Sequence, residues 1–337
     1  MNAKVLVLTT GGTIAHSSRR GAAASLDFDP AELVSQLGIT GVDIAFKQVF
    51  RKGSMDIVPG DWQVLASSIL EAVAERPQGI VVLHGTDTLQ YTASALSFML
   101  GDCGVPVVIT GSMIPGGDPD SDAHANLRDA ITVAARAEFA EVCVVFSANR
   151  ERSGAIIIRG CRARKIHSSA IDAFGSINCP PIGEVFGDQI VRTELPVRPR
   201  GIARRSPAVA FNPNVVLVKL TPNLSPETLA RFLQGSSGAV LEGTGVGHIR
   251  TDLQPMIAQY RKPVILSTQT VYGGEQLGRY EVDQRILALS NVIPGGDMTS
   301  ETALVKLMWA LGQGAEVRIV MRTNIAGELG TGAPCQP

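Results

Sequence analysis

Three short stretches put hydroxyls, glycines and a carboxylate where an apolar run ends. Thr9-Thr10-Gly11-Gly12-Thr13 follows Val5–Leu8, His84-Gly85-Thr86-Asp87-Thr88 follows Gly79–Leu83, and Thr110-Gly111-Ser112 follows Val105–Ile109. A threonine hydroxyl is a weak nucleophile until a neighbour accepts its proton. Thr13 stands just past two glycines, whose bare N–H groups can surround an incoming carbonyl oxygen and stabilise an oxyanion. Thr86 and Asp87 arrive from a second strand end. The competing chemistry is phosphate binding. "TTGGTIAH" lacks the third glycine of GxGxxG, and no GxxxxGK[ST] occurs anywhere. "GTGVGH" at 243–248 resembles that motif only in part and reads as a turn. Two Gly-Thr pairs at neighbouring strand ends favour acyl chemistry. The histidines at 16, 84, 124, 167 and 248 show no HxH or HExxH spacing, so no metal is expected.

Elements of two kinds must position these residues. Val5–Leu8, Gly79–Leu83, Val105–Ile109 and Val142–Phe146 are continuous apolar runs, the pattern of strands covered on both faces. Between them lie helical patterns. Asp29, with Pro30 and Glu32, starts one; Trp62, Leu65, Ile69 and Val73 share a face of the next; Thr88–Leu100 stops at Gly101; Ser121 or Asp122 starts another toward Ala137. This alternation predicts an α/β fold with a mostly parallel sheet and helices on both faces. In such a sheet ligands bind beyond the carboxyl ends of the strands, where the three stretches fall.

The character changes between Val191 and Asn214, where four prolines and five arginines occur without a periodic apolar face. Alternation resumes with strands at Val215–Leu220, Ala239–Leu241 and Val264–Ser267, a helix beginning at Ser225-Pro226 and a last helix from Thr299 or Ser300 to Gly312. The expected organisation is an N-terminal α/β domain over 1–190, a linker over 191–212 and a smaller C-terminal α/β domain over 213–337.

Composition bounds the partners. The chain has 337 residues, 45% hydrophobic and only 18% charged, which suits a surface partly covered by other surface. A net charge of −1 offers no general attraction to nucleic acid or an anionic membrane. Met1-Asn2-Ala3-Lys4 leads into the first expected strand, so no signal peptide is expected, and no run reaches the length of a membrane span. Five cysteines without CxxC spacing read as reduced thiols of a cytoplasmic protein.

"TGGTIA" together with "HGTDT" resembles the two signature motifs of the bacterial-type L-asparaginase family, and "GIVVLHGTDTLQYTASALSFML" is similar to its cytoplasmic, type I branch. The likeness runs from the first strand to the last helix. It implies the two-domain asparaginase-like fold and hydrolysis of L-asparagine to L-aspartate and ammonia through a threonine nucleophile. Thr13 would then be the primary nucleophile or one of two catalytic threonines. Thr86, Lys165 and Asp87 would form a second catalytic cluster, with Asp87 also binding the substrate's α-ammonium group. The spacing from Lys165 to Asp172-Ala173-Phe174 matches the family's. Substrate contacts would fall to Gly12, Ser54, Met55, Asp87 and Ser112, with no cofactor. Active sites between subunits would imply a homodimer or homotetramer.

Three positions depart from the family pattern. The N-terminal loop "HSSRRGAAASLDF" carries no tyrosine, and the first tyrosine of the chain is Tyr91. Met55 stands where relatives offer a polar side chain, and His248 where they often have asparagine. These changes leave glutamine, D-asparagine or another small amide as an alternative substrate. A non-catalytic amino-acid-binding protein and a component of a transfer-RNA-dependent amidotransferase are the rivals from other classes.

Overall fold

The computed structural model describes residues 2–12, 14, 34, 37–202, 205–278 and 280–330. Thr13, the expected helix at Asp29 and the N-terminal loop lie outside the described residues. The chain divides into two compact units, Met1–Ser176 with Pro180–Val209 and Ile177–Cys179 with Ala210–Pro337.

Among the described residues, ten strands belong to the first unit: β1 (Ala3–Gly11), β2 (Val42–Lys52), β3 (Gly79–Leu83), β4 (Val107–Thr110), β5 (Val142–Ser147), β6 (Ala155–Arg159), β7 (Ala163–Lys165), β8 (Phe174–Ser176), β9 (Gly183–Phe186) and β10 (Gln189–Arg192). Eight of them form one sheet in the order β10-β9-β6-β5-β4-β3-β1-β2, and β7 and β8 form a separate hairpin. The pairings from β2 to β5 are parallel, and those joining β5, β6, β9 and β10 are antiparallel. The apolar runs fold as expected, because every residue of β3, β4 and β5 is buried. Helices α1 (Pro59–Ala74), α2 (Leu89–Met99) and α3 (Ala123–Arg136) connect these strands. Leu127, Ala130, Ile131 and Ala134 of α3 pack on Val5, Val7, Val81, Leu83 and Val108 in one core.

The arginine-rich segment after β10 is strapped to the first unit as far as Val209. Arg198 pairs with Asp102 at 3.0 Å, and its N–H donates to Glu141, which itself pairs with Arg159 at 2.7 Å. Arg200 donates to Gln78 and to the Ala134 carbonyl, and Arg205 donates to the Phe98 and Ser97 carbonyls at the end of α2. Gln78, Asp102 and Glu141 each precede a strand, so the strap runs along the amino ends of β3, β4 and β5.

The second unit carries a parallel sheet in the order β11 (Val215–Lys219), β12 (Gly238–Gly243), β13 (Val264–Thr268) and β14 (Val292–Pro294). Its helices are α4 (Pro226–Leu233), α5 (Gln254–Tyr260), α6 (Glu281–Leu287), α7 (Ser300–Gly312) and α8 (Val317–Arg322). The side chains of Ser225 and Thr299 cap α4 and α7 by accepting the N–H of Thr228 and Thr302. Among the described residues no helix is long and apolar enough to cross a membrane.

Candidate active site

Parallel register brings the three hydroxyl-bearing strand ends side by side. Thr9 pairs with Leu83 and Leu83 with Thr110, so the turns after β1, β3 and β4 open on the same edge. Two of the threonines are pins. The Thr10 hydroxyl donates to the Leu83 carbonyl at 2.8 Å and the Thr110 hydroxyl to the Val145 carbonyl at 2.7 Å, both buried.

The bend after β1 is a backbone-on-backbone contact. Gly12 adopts φ +81°, and a Cβ there would lie 2.3 Å from the Gly85 nitrogen. A Cβ on Gly85 would in turn lie 2.7 Å from the Ser54 hydroxyl oxygen and 3.1 Å from the Gly12 Cα. Neither position accepts a side chain without moving main chain. Only this clearance lets the two turns, and the residues following them, stand together.

Thr86 is buried on the β3 turn, and Lys165 ends β7. The Lys165 ammonium donates to Thr86 Oγ1 at 2.8 Å and to Asp87 Oδ1 at 2.7 Å. Its side chain is only 13% exposed, whereas that of Asp87 is 60% exposed. The Asp172-Ala173-Phe174 spacing follows from the hairpin, in which Lys165 pairs with Phe174 and the Ala173 carbonyl accepts the N–H of Ile166. Hydroxyl, amine and carboxylate form a hydrogen-bonded chain from a buried oxygen to an exposed one, a geometry suited to moving a proton.

Ser54 joins this cluster from the single helical turn after β2. It is buried, its hydroxyl accepts the Asp87 N–H at 3.3 Å, and its carbonyl accepts the Thr88 hydroxyl at 2.7 Å. Lys52, just before it, pairs with Asp61 of α1 at 2.7 Å, and its carbonyl accepts the Gly12 N–H. Met55 is adjacent in sequence but 76% exposed, an apolar side chain left in solvent. Ser112 is wholly buried, and its hydroxyl has no hydrogen-bond partner among the described residues. The structure thus gathers Gly12, Ser54, Thr86, Asp87 and Lys165. His248 lies in the second unit, its Nδ1 2.8 Å from Asp283 Oδ1.

Two buried polar groups beneath the edge escaped the sequence reading. Asp122 reads as the start of a helix, yet its carboxylate makes no cap and instead accepts the N–H groups of Met113 and Ile114 at 2.9–3.0 Å. His84 reads as one of five unclustered histidines; burial lowers its pKa to about 4, partly offset by its bond to the Gly85 carbonyl. The one sequence signal for either was a polar residue at the border of an otherwise apolar element. Among the described residues no group of three or more His, Cys, Asp or Glu side chains could hold a metal ion.

Comparison with known proteins identifies the family. Residues 4–197 match the model of the asparaginase N-terminal domain, and residues 214–322 that of the glutaminase/asparaginase C-terminal domain. The chain is 43% identical over 338 residues to an L-asparaginase of Thermococcus kodakarensis, covering 97% of this chain and 99% of that one. A solved structure of the thermostable L-asparaginase from that organism superposes with a TM-score of 0.88 at 41% identity, covering 97% and 99% of the two chains. L-asparaginase I from Vibrio cholerae gives 0.85 at 31% identity, covering 98% and 100%. A glutamyl-tRNA(Gln) amidotransferase component of Methanosphaera stadtmanae is 35% identical over 344 residues, 96% of this chain and 76% of that protein. Motifs, fold and both domain matches agree: the chain belongs to the asparaginase family and is a hydrolase acting on amide C–N bonds.

Proposed function

We propose that this protein hydrolyses the side-chain amide of L-asparagine to L-aspartate and ammonia. The observation that carries the reading is the Lys165 ammonium set within hydrogen-bond distance of both Thr86 Oγ1 and Asp87 Oδ1. Thr13 is the primary nucleophile in this reading. Its hydroxyl attacks the amide carbon, the tetrahedral intermediate expels ammonia, and water then releases the carboxylic acid from the acyl-enzyme. Thr86 and Lys165 relay protons, and Asp87 positions Lys165 and receives the substrate's α-ammonium group. Gly12 leaves room for the carbonyl, Ser54 binds the α-carboxylate, and Met55 and Ser112 complete the substrate's surroundings.

The domain carrying the catalytic threonines is taken as 1–190, with a linker over 191–212 and the smaller domain over 213–337. The protein acts in the cytoplasm, a reading supported by five cysteines without CxxC spacing. It works as a homodimer or homotetramer, with neither nucleic acid nor membrane as partner.

The exposed Met55 favours a second substrate reading, a small amide such as glutamine or D-asparagine. Ammonia release from L-asparagine, L-glutamine, D-asparagine and simple amides separates the two. Turnover of L-asparagine that disappears in Thr13→Ala and Thr86→Ala is expected. Ligand-dependent thermal stabilisation without turnover would instead mark a binding protein.

A further inference from the structure

His84 sits wholly buried at the carboxyl end of β3, and both of its ring nitrogens are occupied. Nδ1 lies 2.6 Å from the Gly85 carbonyl oxygen, and Nε2 lies 2.9 Å from Thr92 Oγ1 on α2. The Trp62 indole of α1 reaches the same hydroxyl oxygen, with Nε1 at 3.0 Å. These contacts permit one hydrogen assignment. An indole N–H only donates, so Thr92 Oγ1 accepts there. A carbonyl only accepts, so His84 Nδ1 carries its hydrogen and donates to Gly85. Nε2 is then a lone pair, and it receives the Thr92 hydroxyl hydrogen. Every donor in the chain finds an acceptor, and protonating the ring would leave the Thr92 hydroxyl hydrogen with none.

We propose that His84 is a positioning residue: the Trp62–Thr92 chain locks its Nδ1–H tautomer, and the locked ring fixes the Gly85–Thr86 peptide that presents Thr86 to Lys165. The peptide bond is planar, so holding the Gly85 oxygen sets the direction of the Thr86 N–H and the origin of its side chain. Gly85 brings no side chain of its own to anchor that peptide, which lies between the bare backbone of Gly12 and the Ser54 side chain. A clamp on the carbonyl supplies what packing cannot. Burial keeps the ring neutral near pH 7, so the donor that grips Gly85 does not change with the protonation of the site above it.

The inference rests on the role given to Thr86 above, and its test separates the two. Nitrogen-15 NMR of the imidazoles in the full chain, with His84 assigned from the signal lost in His84→Gln, reads the tautomer without any turnover. A neutral Nδ1–H ring is expected; a Nε2–H tautomer or a protonated ring at pH 7 overturns the lock. Kinetics on L-asparagine then read the clamp. His84→Asn keeps an N–H near the Nδ1 position, whereas His84→Gln moves its amide away from Gly85. His84→Gln should lower kcat roughly ten- to a hundredfold with KM unchanged, and His84→Asn should restore most of the loss. Equal kcat in both variants, or a change confined to KM, overturns the positioning role. Thr92→Val deletes the hydroxyl at nearly constant volume and serves where a His84 variant fails to fold; it should lower kcat and release the tautomer, and wild-type behaviour would count against the proposal. Failure of the asparaginase reading would look different, with no ammonia from wild type and every variant alike.

Discussion

Asp122 and Asn126, one turn apart at the start of α3, are bonded to each other at 2.9 Å and together grip the turn after β4. Asn126 donates to the Gly111 carbonyl at 3.0 Å, while Asp122 takes the N–H groups of Met113 and Ile114. Ser112 is thereby held from both sides by its neighbours' main chain. The Asn126 side-chain oxygen also accepts the N–H and hydroxyl of Ser147 at the end of β5.

Replacing Asn126 by alanine leaves the Gly111 carbonyl and two Ser147 donors buried without their partner. Each orphaned group costs about 1–3 kcal/mol, so Asn126→Ala should lose about 3 kcal/mol in urea unfolding. Amide hydrolysis should fall further than the folded fraction does, because the turn beside Thr86 loosens. Activity that tracks the folded fraction alone would limit the pair to a structural role.

Lys165→Met keeps the apolar stem and removes the group that joins Thr86 to Asp87. A loss of roughly 10²–10⁴-fold in kcat is expected, the scale of a positioned acid–base group, with stability close to wild type. Steady-state ammonia release together with thermal unfolding decides it. A variant that turns over normally would dismiss the relay.

Asp129, on α3, is buried, and burial raises its pKa from 3.8 to about 6 against a lowering contribution from Arg128. The folded-state value lies above the unfolded one, so the stabilisation is complete below about pH 3.8 and is lost as pH rises through about 6. At pH 7 the ionised carboxyl costs about 3 kcal/mol. Asp129→Asn should therefore raise Tm at pH 7 and flatten this limb of the stability profile. An unchanged profile would place the titration elsewhere.

Lys306 of α7 and Glu328 form a wholly buried ion pair at 2.5 Å in the second unit. Lys306 also donates to the carbonyls of Met321 and Thr323, and Glu328 accepts the N–H groups of Ile325 and Ala326. Lys306→Met alone should destabilise by about 3–5 kcal/mol, since it strands a buried carboxylate. Adding Glu328→Gln should recover part of that loss, and a double-mutant cycle measures how much.

Much of this molecule was legible in the sequence because its signals are local. The run Gly79–Leu83 is β3 residue for residue, and the caps Ser225 and Thr299 bond as their positions imply. The pairings of β6, β9 and β10 were not legible, since strands of four or five residues with mixed exposure carry little periodicity. β2 escaped for a related reason: it is a half-exposed edge with no fully buried residue. At the candidate site, residue types at strand ends pointed to Thr86 and Asp87, while Ser54 and Lys165 came from the family resemblance. Asp122 and His84 were missed because their partners are set by tertiary folding. Asp122 looks like a helix cap until its carboxylate is seen to turn back to Met113.

The arginine strap gives the first unit a late closing step on the ribosome. Arg200 reaches Gln78 across 122 positions, and Arg205 reaches Phe98 across 107. A nascent chain that stops short of Arg198 leaves Asp102 without its cation and Glu141 without the N–H it accepts. Contacts this distant in sequence close slowly. The sheet whose β3 end presents Thr86 can therefore be assembled well before it is sealed, and the interval between the two is when the emerging chain most needs protection from aggregation.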